Sequence, residues 1–167
     1  MKATLAILND LEAHGTFRRY AIGGAMGAMF YVEPVATYDL DVFVILPVSR
    51  GGLLTLTPIY DALRERGYEP KDEHVIIEGI PVQFLPAYNP LLEEALEEAR
   101  TVHVEEVSTR VLRIEHLICV SVATGRAKDR ERTRLLMEDG HPDVNFLAKI
   151  CTRHHLPLPA KNGEFSL

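Results

Sequence analysis

The segment from Tyr38 to Leu46 constrains the fold of this chain more than any other. Its first half alternates polar and apolar residues, and its second half is apolar throughout. This pattern predicts a central β-strand whose leading end reaches an open, polar site. A strand of this kind needs other elements to cover it. A chain of 167 residues can supply them without a disulfide or a structural metal.

Helical and strand patterns alternate around this segment. Helical patterns cover residues 2–15, 25–31, 55–67, 90–99, 114–124, 128–139 and 143–153, and strand patterns cover 18–22, 74–78, 80–86, 102–107 and 109–112. Pro81 indicates that the strand at 80–86 is not a regular central strand over its whole length. Gly51-Gly52 predicts a loop.

This order predicts an α/β (α+β) fold in which helices flank a mixed β-sheet and a helical subregion follows. We expect an α/β core at residues 1–110 and a helical region at residues 111–167, packed together as one compact unit. The sequence shows no internal repeat that would indicate a solenoid.

Composition excludes several classes of protein. Hydrophobic residues make up 47% and charged residues 25%, which excludes a disordered, collagen-like or disulfide-framework chain. The net charge of −6 at pH 7 predicts no broad basic face for nucleic acid. Cys119 and Cys151 lack CxxC spacing, so we expect two packed thiols in a reducing compartment. No stretch approaches the ~20 apolar residues of a membrane span, so we expect a cytoplasmic protein with no membrane partner.

Two short motifs carry residues that could do chemistry. Gly23-Gly24 stands between a predicted strand and a predicted helix, where glycine lets the backbone approach a ligand such as a phosphate. Asp39 and Asp41 share one face of the next strand, about 7 Å apart. Their mutual repulsion would be relieved by a divalent cation that prefers oxygen ligands, such as Mg²⁺. Taken alone, each motif also fits a tight turn or a solvated strand edge.

The two motifs together resemble the signature of the nucleotidyltransferase superfamily, which has a polymerase-beta-like fold. Fourteen residues separate Gly24 from Asp39. The resemblance is closest to minimal bacterial members and to the abortive-infection (AbiEii-like) toxin type, although the insert is about one residue longer than is usual. Further along, the segment Arg126-Ala127-Lys128-Asp129 follows a predicted helix and looks like the C-terminal Arg-x-Lys-Asp motif of the same family.

The resemblance implies transfer of a nucleoside monophosphate from a nucleoside triphosphate to an acceptor, with Mg²⁺ or Mn²⁺. The acceptor could be an RNA end, a protein or a small hydroxylated molecule. Asp39 and Asp41 would be the catalytic metal ligands. The nucleotide would be bound by Gly23, Gly24, Thr37, Arg126, Lys128 and Asp129. A homodimer, or a cognate partner protein as in toxin–antitoxin systems, is compatible with this resemblance.

Two departures from the family pattern keep a second interpretation open. The third catalytic carboxylate of the family corresponds to Gln83, and Ser121 occupies a place that often carries Lys. Glu78 is a candidate replacement for the missing acid. The alternative is therefore a catalytically degenerate protein that binds nucleotide or a partner, and whether the chain is an enzyme stays open.

Other polar residues have simpler interpretations. Asp129 is placed to cap the N-terminus of a solvated, highly charged helix. The acidic run at residues 93–98 predicts a solvated helix face. His154 and His155 are expected at the surface or at a helix end.

Overall fold

The computed structural model describes residues 1–33, 37–47 and 55–165, so the predicted Gly51-Gly52 loop lies outside the described residues. The helices are α1 (Lys2–Ala13), α2 (Gly24–Ala28), α3 (Thr57–Glu65), α4 (Pro90–Glu97), α5 (Ile114–Thr124), α6 (Ala127–Glu138) and α7 (Val144–Arg153). The strands are β1 (Arg19–Ile22), β2 (Leu40–Ile45), β3 (Pro70–Lys71), β4 (His74–Ile77), β5 (Ile80–Pro86), β6 (Arg100–Val104) and β7 (Val107–Val111).

All of these strands form one mixed sheet with the order β3-β4-β5-β2-β1-β7-β6. β2 lies at the centre of the sheet, antiparallel to β1 and parallel to β5. The central strand predicted at residues 38–46 is therefore confirmed. The expectation from Pro81 is also confirmed, because Pro81 pairs with β4 while the pairing of β5 with β2 begins at Val82. β3 has only two residues, and no pattern predicted it.

The alternating residues of β2 face two separate cores. Leu40, Val42 and Val44 pack in the core that also contains side chains of α1 and α3. Phe43 packs in the other core, with side chains of α4, α5, α6 and α7. Because successive side chains of a strand point to opposite faces, Asp41 lies on the same face as Phe43, towards the C-terminal helices.

The C-terminal helices pack directly on the sheet. α5 is buried along most of its length, and it ends at Gly125, whose φ of 66° is left-handed. One core cluster contains Leu117 of α5 and Ile150 of α7 together with Ala21 and Phe43 of the sheet. This packing brings α5 and α6 over the face of β2 that carries Asp41. Within the described residues, no helix is long and apolar enough to cross a membrane.

The predicted solvated face of α4 is present at Glu93, Glu97 and Glu98, which are exposed, but the prediction is wrong for Glu94. The Oε1 atom of Glu94 lies 3.3 Å from His116 Nε2 and 2.7 Å from Arg153 Nη1, and its Oε2 lies 2.7 Å from His154 Nε2. Glu94 is therefore not on the solvated face. His154 is the C-cap residue of α7 and His155 is exposed, as predicted for this pair. Burial opposes the charge of Glu94, but hydrogen bonds from Arg153, His154 and His116 outweigh it and lower the pKa to about 2.

The two cysteines lie in the same region. Cys119 of α5 and Cys151 of α7 are free and buried, with their Sγ atoms 3.8 Å apart. The prediction of two packed thiols is confirmed. The contact with the Cys151 sulfur, and then burial, raise the pKa of the Cys119 thiol, so this group is uncharged and suited to a core.

Candidate functional site

The side chain of Asp41 lies directly against the glycine pair. Gly24 has a φ of +57°, and a Cβ atom placed there would lie 1.7 Å from Asp41 Oδ2. A Cβ atom on Gly23 would lie 2.4 Å from the ring of Phe43. The backbone N–H of Gly23 donates to the carbonyl oxygen of Asp41 at 2.9 Å. Residues without side chains are needed here because the neighbouring strand β2 packs its Asp41 and Phe43 onto the turn.

Asp39 lies just before β2 and is held by its neighbours. Thr37 Oγ1 donates to Asp39 Oδ1 at 2.8 Å, and His74 Nε2 lies 3.8 Å from Asp39 Oδ2. The hydrogen bond from Thr37 lowers the pKa of Asp39. Asp39 is therefore held as a carboxylate in a half-exposed position.

Asp41 is in a different environment. Burial raises its pKa, and the negative charge of Asp39 raises it further. The positive charges of Arg132, Lys128 and Arg126 act in the opposite direction. The site thus combines two adjacent carboxylates with a group of cations contributed by α6 and the residue before it.

A buried carboxylate organises these cations. Asp129 is 1% exposed. Its Oδ2 accepts from Arg126 Nε at 2.7 Å, and its Oδ1 accepts from Arg132 Nη1 at 2.9 Å. The prediction that Asp129 caps α6 is wrong, because the N-cap residue is Arg126 and Asp129 lies in the first turn. Its carboxylate accepts hydrogen bonds from two guanidinium groups.

Two cavities meet at Asp41. The first, of about 300 Å³, lies between the end of β5 and α5, and its lining includes Gly24, Gln83, Leu85, Tyr88, Ser121 and Arg126. The second, of about 380 Å³, lies beside α2, and its lining includes Ala25, Ala28, Thr37, Asp39 and Glu131. Asp41, Lys128 and Arg132 line both cavities. The structure therefore brings the predicted site residues together around one cleft, although Gly23 contributes through its bond to Asp41 and does not line either cavity.

Gln83, which the sequence resemblance aligns with a third acidic position, lies beside Asp41. The register of β2 and β5 pairs Asp41 with Gln83. Gln83 Nε2 donates to Glu73 Oε2 at 3.3 Å. Glu78, the candidate replacement for an acid at this position, lies in the turn before β5, accepts a hydrogen bond from Tyr68 and lines neither cavity at Asp41. The carboxylate beside Gln83 is that of Glu73.

The sequence analysis did not identify Arg132, which lines the cleft, or Glu73, which contacts Gln83. Arg132 follows Asp129 by three residues, a spacing that places both on one face of a helix and could have indicated the pair. Glu73 carries no comparable signal, because its contact with Gln83 depends on the register of β4 and β5.

The side chains of the cleft supply part of the ligand set that a hard divalent cation such as Mg²⁺ requires. Within residues 1–33, 37–47 and 55–165, no three His, Cys, Asp or Glu side chains are arranged to hold a metal ion. Mg²⁺ in proteins is often bound through one or two carboxylates, with water and substrate phosphates as the other ligands. Asp39 and Asp41 can supply that pair of carboxylates.

No family model matches the sequence, and a search of curated proteins finds no match. Among solved structures, the chain is similar to an antigenic nucleotidyltransferase-like protein from Paracoccidioides brasiliensis. The TM-score is 0.56 at 12% sequence identity, and the alignment covers 97% of this chain and 78% of the other. A second similar structure is the antibiotic-resistance factor ANT(2'')-Ia, with a TM-score of 0.44, 17% identity, and coverage of 92% and 84%.

The first comparison agrees with the architecture described above. At 12% identity, the structural similarity supports the fold and does not identify the reaction. The chain has a nucleotidyltransferase-like fold, with a seven-stranded mixed sheet flanked by helices.

Proposed function

We propose that this protein is a metal-dependent nucleotidyltransferase. It transfers a nucleoside monophosphate from a nucleoside triphosphate to an acceptor hydroxyl, using Mg²⁺ or Mn²⁺. The observation that carries the proposal is the contact of the Asp41 carboxylate with Gly24, in a cleft that also holds Asp39 and the cations of α6. The nucleotidyltransferase-like fold supports it.

Each residue of the cleft has a role in this proposal. Asp39 and Asp41 would hold the divalent cation, which supplies charge neutralisation of the phosphates when it is bound. Thr37 keeps Asp39 ionised and oriented through its hydrogen bond. Lys128 and Arg126 offer N–H donors to phosphate oxygens. Gly24 leaves room for Asp41.

Positioning accounts for most of the rate in phosphoryl transfers of this kind. The acceptor oxygen forms a bond to the α-phosphorus and its proton passes to solvent water, while the bond between the α-phosphorus and the bridging oxygen breaks and pyrophosphate leaves. Gln83 can orient a hydroxyl by hydrogen bonding, but its neutral amide cannot take up the proton. The acceptor class stays open between an RNA end, a protein and a small molecule.

The same amide favours a second candidate function. A protein with Gln83 beside Asp41 and Ser121 in the adjoining cavity could bind nucleotide without turning it over. Such a protein would act as a binding or regulatory module, for example within a toxin–antitoxin pair. This alternative predicts nucleotide binding without release of pyrophosphate.

Pyrophosphate release separates the two candidates. We would incubate the protein with each α-labelled nucleoside triphosphate, Mg²⁺ or Mn²⁺ and a tRNA pool, and measure label transfer and pyrophosphate. We expect the wild type to release pyrophosphate and Asp41→Asn to lose at least ~100-fold of the rate. Asp61→Asn, an exposed change of the same type on α3, is the matched control. Nucleotide binding without release of pyrophosphate would favour the regulatory module. The absence of both binding and release would contradict both candidate functions.

A further inference from the structure

We infer that Arg132, held in place by the buried Asp129, binds the β- or γ-phosphate of a nucleoside triphosphate and makes the site selective for triphosphates over monophosphates. The inference rests on the proposed function. It makes Arg132 a ligand-binding residue, and it makes Asp129 a positioning residue that acts through arginine without touching the nucleotide.

The first step is the unusual position of Asp129. A carboxylate with 1% exposure is stable only where its charge is paired and hydrogen-bonded. Both oxygens of Asp129 are occupied, one by Arg126 and one by Arg132. Asp129 is therefore poorly placed to contact a ligand, but it fixes the orientation of two guanidinium groups at the edge of the cleft.

The second step is the charge that results. Arg126, Lys128 and Arg132 together balance the carboxylates of Asp39, Asp41 and Asp129 in the cleft. An excess of positive charge that faces a cleft favours an anion with several charges. A divalent cation on Asp39 and Asp41 would create such an excess and so favour a triphosphate.

The third step distinguishes Arg132 from Arg126. The side chain of Arg132 is 16% exposed, whereas that of Arg126 is 61% exposed. Arg132 lines both cavities that meet at Asp41, and Arg126 lines only one of those two. Arg132 is thus the more buried of the two guanidinium groups near the carboxylates.

The chemistry of arginine completes the argument. Arg132 donates to Asp129 through Nη1, and the rest of its planar fork is suited to bidentate contact with phosphate oxygens. The α-phosphate must lie near Asp39 and Asp41 for transfer to occur. A cation across the cleft would then contact the phosphates beyond it, which a monophosphate lacks.

A purely structural role gives a different expectation. Asp129 forms pairs at i−3 and i+3 within the first turn of α6, and such pairs can stabilise a helix without any ligand. In that case, removing Arg132 would lower the melting temperature and leave the preference for triphosphates unchanged.

The test compares binding of triphosphate and monophosphate by calorimetry on the full chain. The ligands are the α,β-methylene analogues of the four nucleoside triphosphates and the four nucleoside monophosphates, with Mg²⁺. We expect Arg132→Gln to weaken triphosphate binding roughly 10- to 100-fold and to change monophosphate binding less than about twofold. Asp129→Asn should weaken triphosphate binding in the same direction, and Arg132→Lys should lie between Arg132→Gln and wild type.

The control is Arg130→Gln, which removes one positive charge from the same helix. Arg130 lies over the ring of Phe165 and lines a separate cavity with α6 and the C-terminal segment, so we expect wild-type binding. Thermal unfolding of each variant reports whether it is folded.

The outcomes separate this inference from the proposed function. Equal weakening of both ligand classes in Arg132→Gln, no weakening, or the same loss in Arg130→Gln would overturn the role of Arg132. If triphosphate binding is lost in Asp41→Asn and unaffected by Arg132→Gln, only this inference fails. If the wild type binds no triphosphate, both fail.

Discussion

The contact between Gly24 and Asp41 explains at the scale of single residues why the two motifs of this sequence occur together. The left-handed φ of Gly24 and the missing side chain allow the Asp41 carboxylate to sit on the turn between β1 and α2. A larger side chain at either position would displace the other residue. The spacing of the motifs is thus a packing requirement in addition to any chemical one.

Replacement of Gly24 by Ala tests this coupling. The left-handed backbone costs an alanine about 1–2 kcal/mol, and the clash with Asp41 Oδ2 adds to that. We expect Gly24→Ala to lose stability and metal-dependent nucleotide binding together. Gly79→Ala is the matched control, because Gly79 has a φ of +80° but nothing within 4 Å of an added Cβ. Retained nucleotide binding in Gly24→Ala, measured by calorimetry, would show that the position of Asp41 is not critical.

The replacement of Gln83 by Asp is a second test at the scale of single residues. Gln83 is paired with Asp41 in the sheet, so Gln83→Asp places a carboxylate beside it. If the protein is a degenerate member of the fold, pyrophosphate release should appear in Gln83→Asp and be absent from the wild type. If the wild type is an active enzyme, robust turnover should already be present. Gln83→Ala is the control for loss of the side chain alone.

Residue-level roles were only partly predictable from the sequence. The resemblance identified Asp39, Asp41, Gly24 and Lys128, and the structure gathers them at one cleft. The resemblance could not show that two arginines occupy both carboxylate oxygens of Asp129, because these contacts depend on where α6 begins. Glu73 was missed for a related reason, since its contact with Gln83 exists only once β4 and β5 are in register.

At the scale of elements, Glu94 joins α4 to α5 and α7. It contacts His116, Arg153 and His154, so one side chain ties three helices that support the cleft. A sequence rich in glutamate predicts a solvated face, and the pattern gives no sign that one of these residues turns inward.

The pH dependence of stability tests the role of Glu94. Its pKa is lowered from 4.5 to about 2 in the folded protein, so its stabilisation is fully present above pH 4.5 and is lost as the pH falls through 2. We expect Glu94→Gln to reduce the free energy of unfolding by about 1–2 kcal/mol at pH 7. In urea unfolding at a series of pH values, the difference from wild type should shrink between pH 4.5 and 2.

Glu97→Gln, on the exposed side of the same helix, should leave the free energy of unfolding within about 0.5 kcal/mol of wild type. A difference between Glu94→Gln and wild type that grows as the pH falls would contradict the account of this cluster.

At the scale of the whole molecule, hydrophobic periodicity predicted the architecture well. The central strand, the flanking helices and the C-terminal helical region are all present. The order of strands in the sheet was not predictable, because pairings such as β1 with β7 join segments far apart in the chain. The division at residue 110 stays a prediction. β7 runs to Val111, and one core cluster contains residues from both sides of the division.

The central claim is that Asp39 and Asp41 form a metal-dependent nucleotide site. The most direct measurement is a thermal-shift titration with each nucleoside triphosphate, with and without Mg²⁺ or Mn²⁺, on wild type and the double variant Asp39→Asn/Asp41→Asn. A ligand at about 100 times its dissociation constant stabilises the folded state by ~2.7 kcal/mol, which corresponds to roughly 5–10 °C for a chain of this size. We predict a shift of that order that requires the metal and vanishes in the double variant. A shift of equal size in the double variant, or no shift with any nucleotide, would contradict the claim.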